Sequence, residues 1–210
     1  MNSFGSSFRV TSGDNLENAY LKKMDEKIII REANVTPLRT AKGIVTCDSE
    51  ELDIRPEIRK SEKDGRYIYE YIYPARIFER EGVYELDTKS SDSAENGFAY
   101  SGQGSRFRIY IDRTKPVITA GGIESGKSYD AADAKLELFV SDGISPVSYS
   151  VRSGENIIYS SKESALTAEK EILLPEGVRQ EVNIIATDAA GNRNEVLLED
   201  VTVSSNAFII

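Results

Sequence analysis

Hydrophobic positions recur at every second residue along most of the chain, the period of strands with one buried face. In residues 106–112, Phe107, Ile109 and Ile111 alternate with Arg106, Arg108 and Tyr110. This strand runs into Arg113-Thr114-Lys115-Pro116, where Pro116 removes a backbone donor and suits a linker or the start of an edge strand. Upstream, Ile28-Ile29-Ile30 and the β-branched run at residues 43–47 each predict a strand. From Arg66 to Tyr73 the alternation is strict, with Ile68 and Ile72 on one face and four tyrosines on the other. Residues 82–88 add a strand that ends in the turn-rich Ser90-Ser91-Asp92-Ser93-Ala94-Glu95-Asn96-Gly97. Residues 48–64, charged and carrying Pro56, lack a period and predict a loop or a short helical turn. The first 18 residues are rich in Ser, Gly and Asn, and this segment is read as irregular or as a short edge strand, at which Phe4, Phe8 and Val10 hint.

The second half repeats the scheme. Leu136, Leu138 and Val140 form one inward face, and Val182, Ile184 and Ala186 form another. Residues 147–152, 156–159, 169–174 and 195–203 predict further strands. Short strands separated by frequent turn signals predict an all-β sandwich. An internal match doubles it. Glu81-Gly82-Val83 leads through an alternating strand to Asp92, 11 residues from Glu81, and Glu176-Gly177-Val178 leads to Asp188, 12 residues from Glu176. The expected organisation is two tandem antiparallel β-sandwiches, residues 1–114 and 115–205, with a tail at 206–210.

Net charge is −9 and falls unevenly: −2 up to Thr114, from 18 basic and 20 acidic residues, and −7 from Lys115 onward, from 8 and 15. Neither half carries the basic stripe that phosphate backbones require, so nucleic acid is not an expected partner. The single cysteine, Cys47, forms no internal disulfide and sits in an apolar run as a small core residue. No apolar run reaches the length of a membrane span, and the N-terminus has no signal-peptide core. The apolar, uncapped ending at residues 206–210 reads as that of a piece of a larger protein.

The sequence has no histidine, which excludes Ser-His-Asp and Cys-His catalysis and histidine-based zinc sites. No acidic residue stands out as isolated inside an apolar strand, the mark of a general acid with a raised pKa. A Ser-Lys or carboxylate pair is formally open, so a hydrolase on a β-scaffold ranks last among the readings, and no cofactor is expected. Gly102-Gln103-Gly104 precedes a strand rather than a helix, which makes it a hairpin loop and not a phosphate cradle. Counting by twos places Asp92 and Asp188 on the inward parity at the ends of their strands. There they cap the following turn, or bind calcium with the help of Asp112 and Asn192; capping is the favoured expectation. Tyr67, Tyr69, Tyr71 and Tyr73 are the candidate ligand-binding surface for a glycan or a protein. The competing arrangement packs them inward or beneath residues 48–64.

Two segments carry a resemblance: Ile111-Asp112-Arg113-Thr114-Lys115-Pro116-Val117-Ile118 and Ala186-Thr187-Asp188-Ala189-Ala190-Gly191-Asn192, with an eroded copy of the latter at Ser91-Asp92-Ser93-Ala94-Glu95-Asn96-Gly97. They resemble the linker and the turn of tandem Ig-like modules strung along cell-surface proteins of Gram-positive bacteria. The resemblance implies disulfide-free Ig-like sandwiches acting as a non-catalytic structural or spacer module of an exported, surface-attached protein. Its partners would be neighbouring domains of that larger protein, the chain itself being monomeric and extracellular and anchored through parts outside it. The alternative within the same resemblance is an adhesive module that binds glycan or protein through the aromatic face. Tyr84 resembles the tyrosine corner of Ig-like folds, and Gln180 stands near that place in the second half. Some such modules carry a Lys–Asn isopeptide bond, for which no triad stands out. The junction at residues 112–116 is short and without glycine, which predicts limited interdomain motion.

Overall fold

The computed structural model describes residues 7–99, 106–161 and 165–205. The chain divides into two compact units, residues 1–112 and 113–210, two residues earlier than the division read from sequence. The predicted start at residues 1–6, the Gly102-Gln103-Gly104 loop and the 206–210 tail lie outside the described residues.

The first unit contains β1 (Ser7–Ser12), β2 (Tyr20–Leu21), β3 (Ile28–Asn34), β4 (Leu38–Cys47) and β5 (Glu50–Glu51). It continues with β6 (Glu57–Lys63), β7 (Arg66–Tyr73), β8 (Gly82–Asp92), β9 (Gly97–Ala99) and β10 (Phe107–Ile111). One sheet has the order β1-β3-β7-β6 and the other β2-β10-β8-β4-β5, with β9 pairing the far end of β8. The second unit contains β11 (Val117–Gly121), β12 (Ser128–Asp130), β13 (Lys135–Ser141) and β14 (Val147–Ser153). β15 (Asn156–Ser160), β16 (Thr167–Leu173), β17 (Gly177–Asp188) and β18 (Arg193–Ser204) complete it. Its sheets, β11-β13-β16 and β12-β18-β17-β14-β15, repeat the same order without a counterpart of β6 among the described residues. Each unit is therefore an Ig-like β-sandwich.

The period-2 pattern explains the two cores. In the first unit Ile28, Ile30, Tyr84, Leu86, Phe107, Ile109 and Ile111 all face inward and are fully buried. In the second, Leu136, Val140, Val151, Val182, Ile184 and Ala186 do the same. Cys47 is buried and free, so neither sandwich has a disulfide.

Residues 48–64 are not the predicted loop or helical turn; they supply β5 and β6. Every residue of β6 is exposed, because it is an edge strand that lies beyond the apolar core and so has no hydrophobic alternation to read. Its run of charges also discourages pairing with another chain. Pro56, just before β6, lies against Gly43 of β4: a Cβ on Gly43 would stand 2.1 Å from Pro56 Cγ. Glycine is required there by that close approach.

Candidate functional site

The tyrosine stripe is not a surface. β7 lies between β3 and β6, and Tyr69, Tyr71 and Tyr73 point into the sandwich, buried. The Tyr71 hydroxyl donates to Glu32 Oε2 at 2.7 Å, and that of Tyr73 donates to the Asp87 carbonyl at 2.7 Å. The Tyr69 hydroxyl accepts the backbone N–H of Leu38 at 2.8 Å. Tyr67, at the outer end of the stripe, is half-buried, and Lys60 Nζ stands 5.7 Å from its ring centroid and 5.5 Å from that of Tyr69. The expectation of an aromatic ligand-binding face is corrected in favour of the competing inward arrangement: β7 turns its aromatic face to the core, while Ile68 and Ile72 on its other face are buried as well, outside the core cluster. Glu70, which interrupts the isoleucines, is paired in register with Arg31 on β3 and Arg59 on β6.

Behind the tyrosines lies Glu32, fully buried, contrary to the expectation that no acid stands inside an apolar strand. Its Oε1 accepts from Asn34 Nδ2 at 2.9 Å and Ser90 Oγ at 2.7 Å, and Oε2 accepts from Tyr71. Three donors on one carboxylate offset much of the cost of burying it. Counting by twos along Ile28, Ile30, Glu32 and Asn34 is the signal that would have found it. Burial, and then the Glu32 carboxylate, push the Tyr71 phenol well above its usual range; burial does the same to Tyr73. Among the described residues no lysine is buried, so Asn34 and Glu32 have no buried lysine beside them for an isopeptide bond.

Asp92 and Asp188 are turn clamps built alike. Asp92 Oδ1 accepts the N–H groups of Ala94 at 2.9 Å and Asn96 at 3.0 Å, and Oδ2 accepts Asn96 Nδ2 at 2.9 Å. Asp188 Oδ1 accepts the N–H of Asn192 at 2.8 Å, and Oδ2 accepts Asn192 Nδ2 at 2.8 Å. The Asn96 amide, more than any other group, holds the Asp92 carboxyl below the usual carboxylate range. Of the calcium candidates, Asp188 and Asn192 thus meet each other, whereas Asp92 belongs to the first unit's own turn. Asp112 closes the first unit, buried, with its N–H donating to the Leu21 carbonyl at 2.9 Å. Sequence reading overlooked Asp142, whose carboxylate lies within 4.8 Å of that of Asp188 in the second unit. Asp142 Oδ1 accepts the N–H groups of Ile144 and Ser145, each at 2.8 Å.

Each unit also ties the start of its strand β8 or β17 back to the preceding chain. The Tyr84 hydroxyl donates to the Arg80 carbonyl at 2.9 Å and accepts the Arg80 N–H at 3.1 Å. In the second unit Gln180 Nε2 donates to the Pro175 carbonyl at 3.0 Å, and its Oε1 accepts the Ser153 hydroxyl. An amide here does the work of the phenol.

No family model matches the chain, and no curated protein matches it. Similar solved structures include the fibronectin(III)-like modules of Clostridium thermocellum CbhA, at 15% identity over 95% of this chain and 95% of that one, with a TM-score of 0.37. The Yersinia pseudotuberculosis adhesin InvE is similar at 10% identity over 93% of this chain and 58% of that one, TM-score 0.36. The ectodomain of mouse nectin-like molecule 4 is similar at 10% identity over 99% of this chain and 67% of that one, TM-score 0.45.

Proposed function

We propose that the chain is a pair of non-catalytic Ig-like spacer modules from an exported, surface-attached bacterial protein. One observation carries the reading. In each unit a strand near the start pairs in parallel with the last strand: β2 with β10, and β12 with β18. Tension applied at the two ends of a unit slides such strands along each other and loads their hydrogen bonds together, in shear. Those bonds include Tyr110 N–H to the Ala19 carbonyl at 3.0 Å and Asp112 N–H to the Leu21 carbonyl at 2.9 Å. The second unit has Thr202 N–H to the Lys127 carbonyl at 3.0 Å and Ala131 N–H to the Ser204 carbonyl at 3.1 Å. Load passed along the chain would meet this shear geometry in each of the two modules.

Single-molecule stretching of the chain tests the role. Two unfolding steps are expected, each releasing about 300 Å of contour, since about 100 residues extend at about 3.3–3.6 Å each. Thr202→Pro removes one donor of the parallel patch and should lower the unfolding force of the second unit alone. Equal forces with and without that donor would sink the mechanical reading. Antibody labelling of intact cells tests the location: an epitope reachable only after lysis would rule out surface display.

A further inference from the structure

The two sandwiches differ at one edge. In the first, β7 has β3 on one side and β6 on the other; in the second, β16 has β13 on one side and no strand beyond it among the described residues. The first unit shows what that place accepts. β6 pairs with β7 along its whole length, Glu57 to Lys63, yet every one of its residues is exposed. A strand there is held by backbone hydrogen bonds and by its neighbours on the sheet surface, with no apolar core face of its own.

The ladder with β13 fixes which backbone groups of β16 are open. At its two ends Leu174 N–H donates to the Ala134 carbonyl and Asp142 N–H to the Leu166 carbonyl, each at 2.8 Å, and the register between them has no shift. Residues of an antiparallel ladder alternate between pairs that exchange both bonds and pairs that exchange none. Ala168, Lys170 and Ile172 therefore bond to β13, whereas Thr167, Glu169, Glu171 and Leu173 turn N–H and C=O to the open side. None of these groups has a protein partner among the described residues.

The side chains select the strand. Thr167, Glu169, Glu171 and Leu173 share the outer face of the sheet and all are exposed, Leu173 at 57%. Glu171 stands opposite Glu137 in a pair without hydrogen bonds, the closer of the two spacings, and Lys135 reaches it at 3.2 Å. Glu137 and Glu169 have no ion pair among the described residues, so this face carries three carboxylates against one lysine. A second copy of β16 is a poor occupant. Every antiparallel register centred on Glu169, Lys170 or Glu171 sets like charges against each other.

We propose that the open edge of β16 takes up an extended segment of another protein, antiparallel to it, in the place that β6 holds in the first unit. Facing Leu173, Glu171 and Glu169 in turn, the segment has the pattern apolar-x-basic-x-basic. Backbone bonds supply the attachment, and the alternate basic side chains supply the choice of partner. The inference stands apart from the spacer role.

The probe is the capped peptide Val-Thr-Arg-Thr-Arg-Thr-Thr, titrated into the whole isotope-labelled chain and followed by NMR. Saturable shifts centred on β16 are expected, with slower amide exchange at Thr167, Glu169, Glu171 and Leu173. N-methylation of both arginines keeps their charge, removes donors that face β16, and should abolish binding. Glu169→Pro removes an N–H that β13 does not use, so the sandwich should keep its fold and lose the peptide. Glu169→Lys combined with Glu171→Lys should weaken binding about tenfold or more, most of all at low salt. The proposal is overturned if the peptide gives no saturable shifts, if they centre on another edge, or if charge reversal changes nothing. Equal binding of the N-methylated peptide, or of one with glutamates in place of the arginines, overturns it as well. So does dimerisation of the free chain through β16, since the occupant would then be a second copy.

Discussion

Tyr71 reaches diagonally across the β3–β7 ladder to donate its hydroxyl to Glu32, whose direct register partner is Tyr69. The phenol is one of three donors that hold a carboxylate inside the first sandwich. Tyr71→Phe keeps the ring and its packing but leaves one lone-pair direction of a buried charge unsatisfied. The expected cost to the first unit is about 1–3 kcal/mol, as for hydrogen bonds to charged groups. Calorimetry should show the first unit's transition several degrees lower and the second unit's unchanged. A variant that melts like the parent would mean that water takes the place of the phenol.

Alkaline pH should separate the two units. Burial pushes Tyr71 and Tyr73 well above the ordinary phenol value, and Tyr84 up to about 12. In the second unit burial, followed by its neighbour Tyr159, pushes Tyr149 up to about 12. Each folded-state value lies above the unfolded one of about 10, so the unfolded chain loses its protons first. The stability these phenols contribute is therefore complete below pH 10 and is lost as pH rises from there. Each such tyrosine costs about 1.4 kcal/mol per pH unit in that window. The first unit should unfold at lower pH than the second, and tyrosinate absorbance should rise in step with its unfolding. Ionisation of every tyrosine of the first unit with the fold intact would contradict the buried hydrogen bonds.

The two strand ties should be separable by mutation. Tyr84→Phe removes both contacts with Arg80 and should cost the first unit about 1–2 kcal/mol. Gln180→Leu removes the contacts with Pro175 and Ser153 and should affect the second unit to a similar extent. Denaturant melts with one probe in each unit would check this. A Gln180→Leu variant of parental stability would show that the amide is not the counterpart of the phenol.

Much of this architecture was legible because alternation and turn chemistry agree. Phe107, Ile109 and Ile111 announced β10, and the Asp–Asn turns announced the ends of β8 and β17. β6 was missed for a physical reason: an exposed edge strand has no core face, so Ile58, Arg59, Lys60 and Ser61 show no period. Two-residue β2 and three-residue β12 are too short for any pattern and are held by parallel pairing with distant strands. Glu32 was readable by parity, but a glutamate after Arg31 looks like surface until its donors are known. The tyrosine stripe showed the opposite ambiguity. Strict alternation gave two faces, and only tertiary packing decided which one turned inward. The open edge of β16 was beyond reach, because strand order is set by tertiary pairing, and only that order leaves no strand beyond β16 among the described residues.

Calcium decides the remaining question about the aspartates. Asp92 and Asp188 already receive backbone and amide donors on both oxygens, so neither needs a metal to be satisfied. Asp142, however, brings a second carboxylate within 4.8 Å of Asp188, and like charges at that range repel. Asp142→Asn keeps an acceptor for the Ile144 and Ser145 N–H groups while removing the charge. In EDTA the variant should be more stable than the parent by about 1 kcal/mol, the scale of a partly screened charge pair. Excess calcium should leave the parent's melting temperature unchanged if the clamps are purely structural. If calcium instead raises the parent's melt and Asp142→Asn abolishes the rise, then Asp142 and Asp188 are ligands. In that case the turn clamp of the second unit would be one wall of a cation site, and its likeness to the Asp92 clamp would end at the hydrogen bonds.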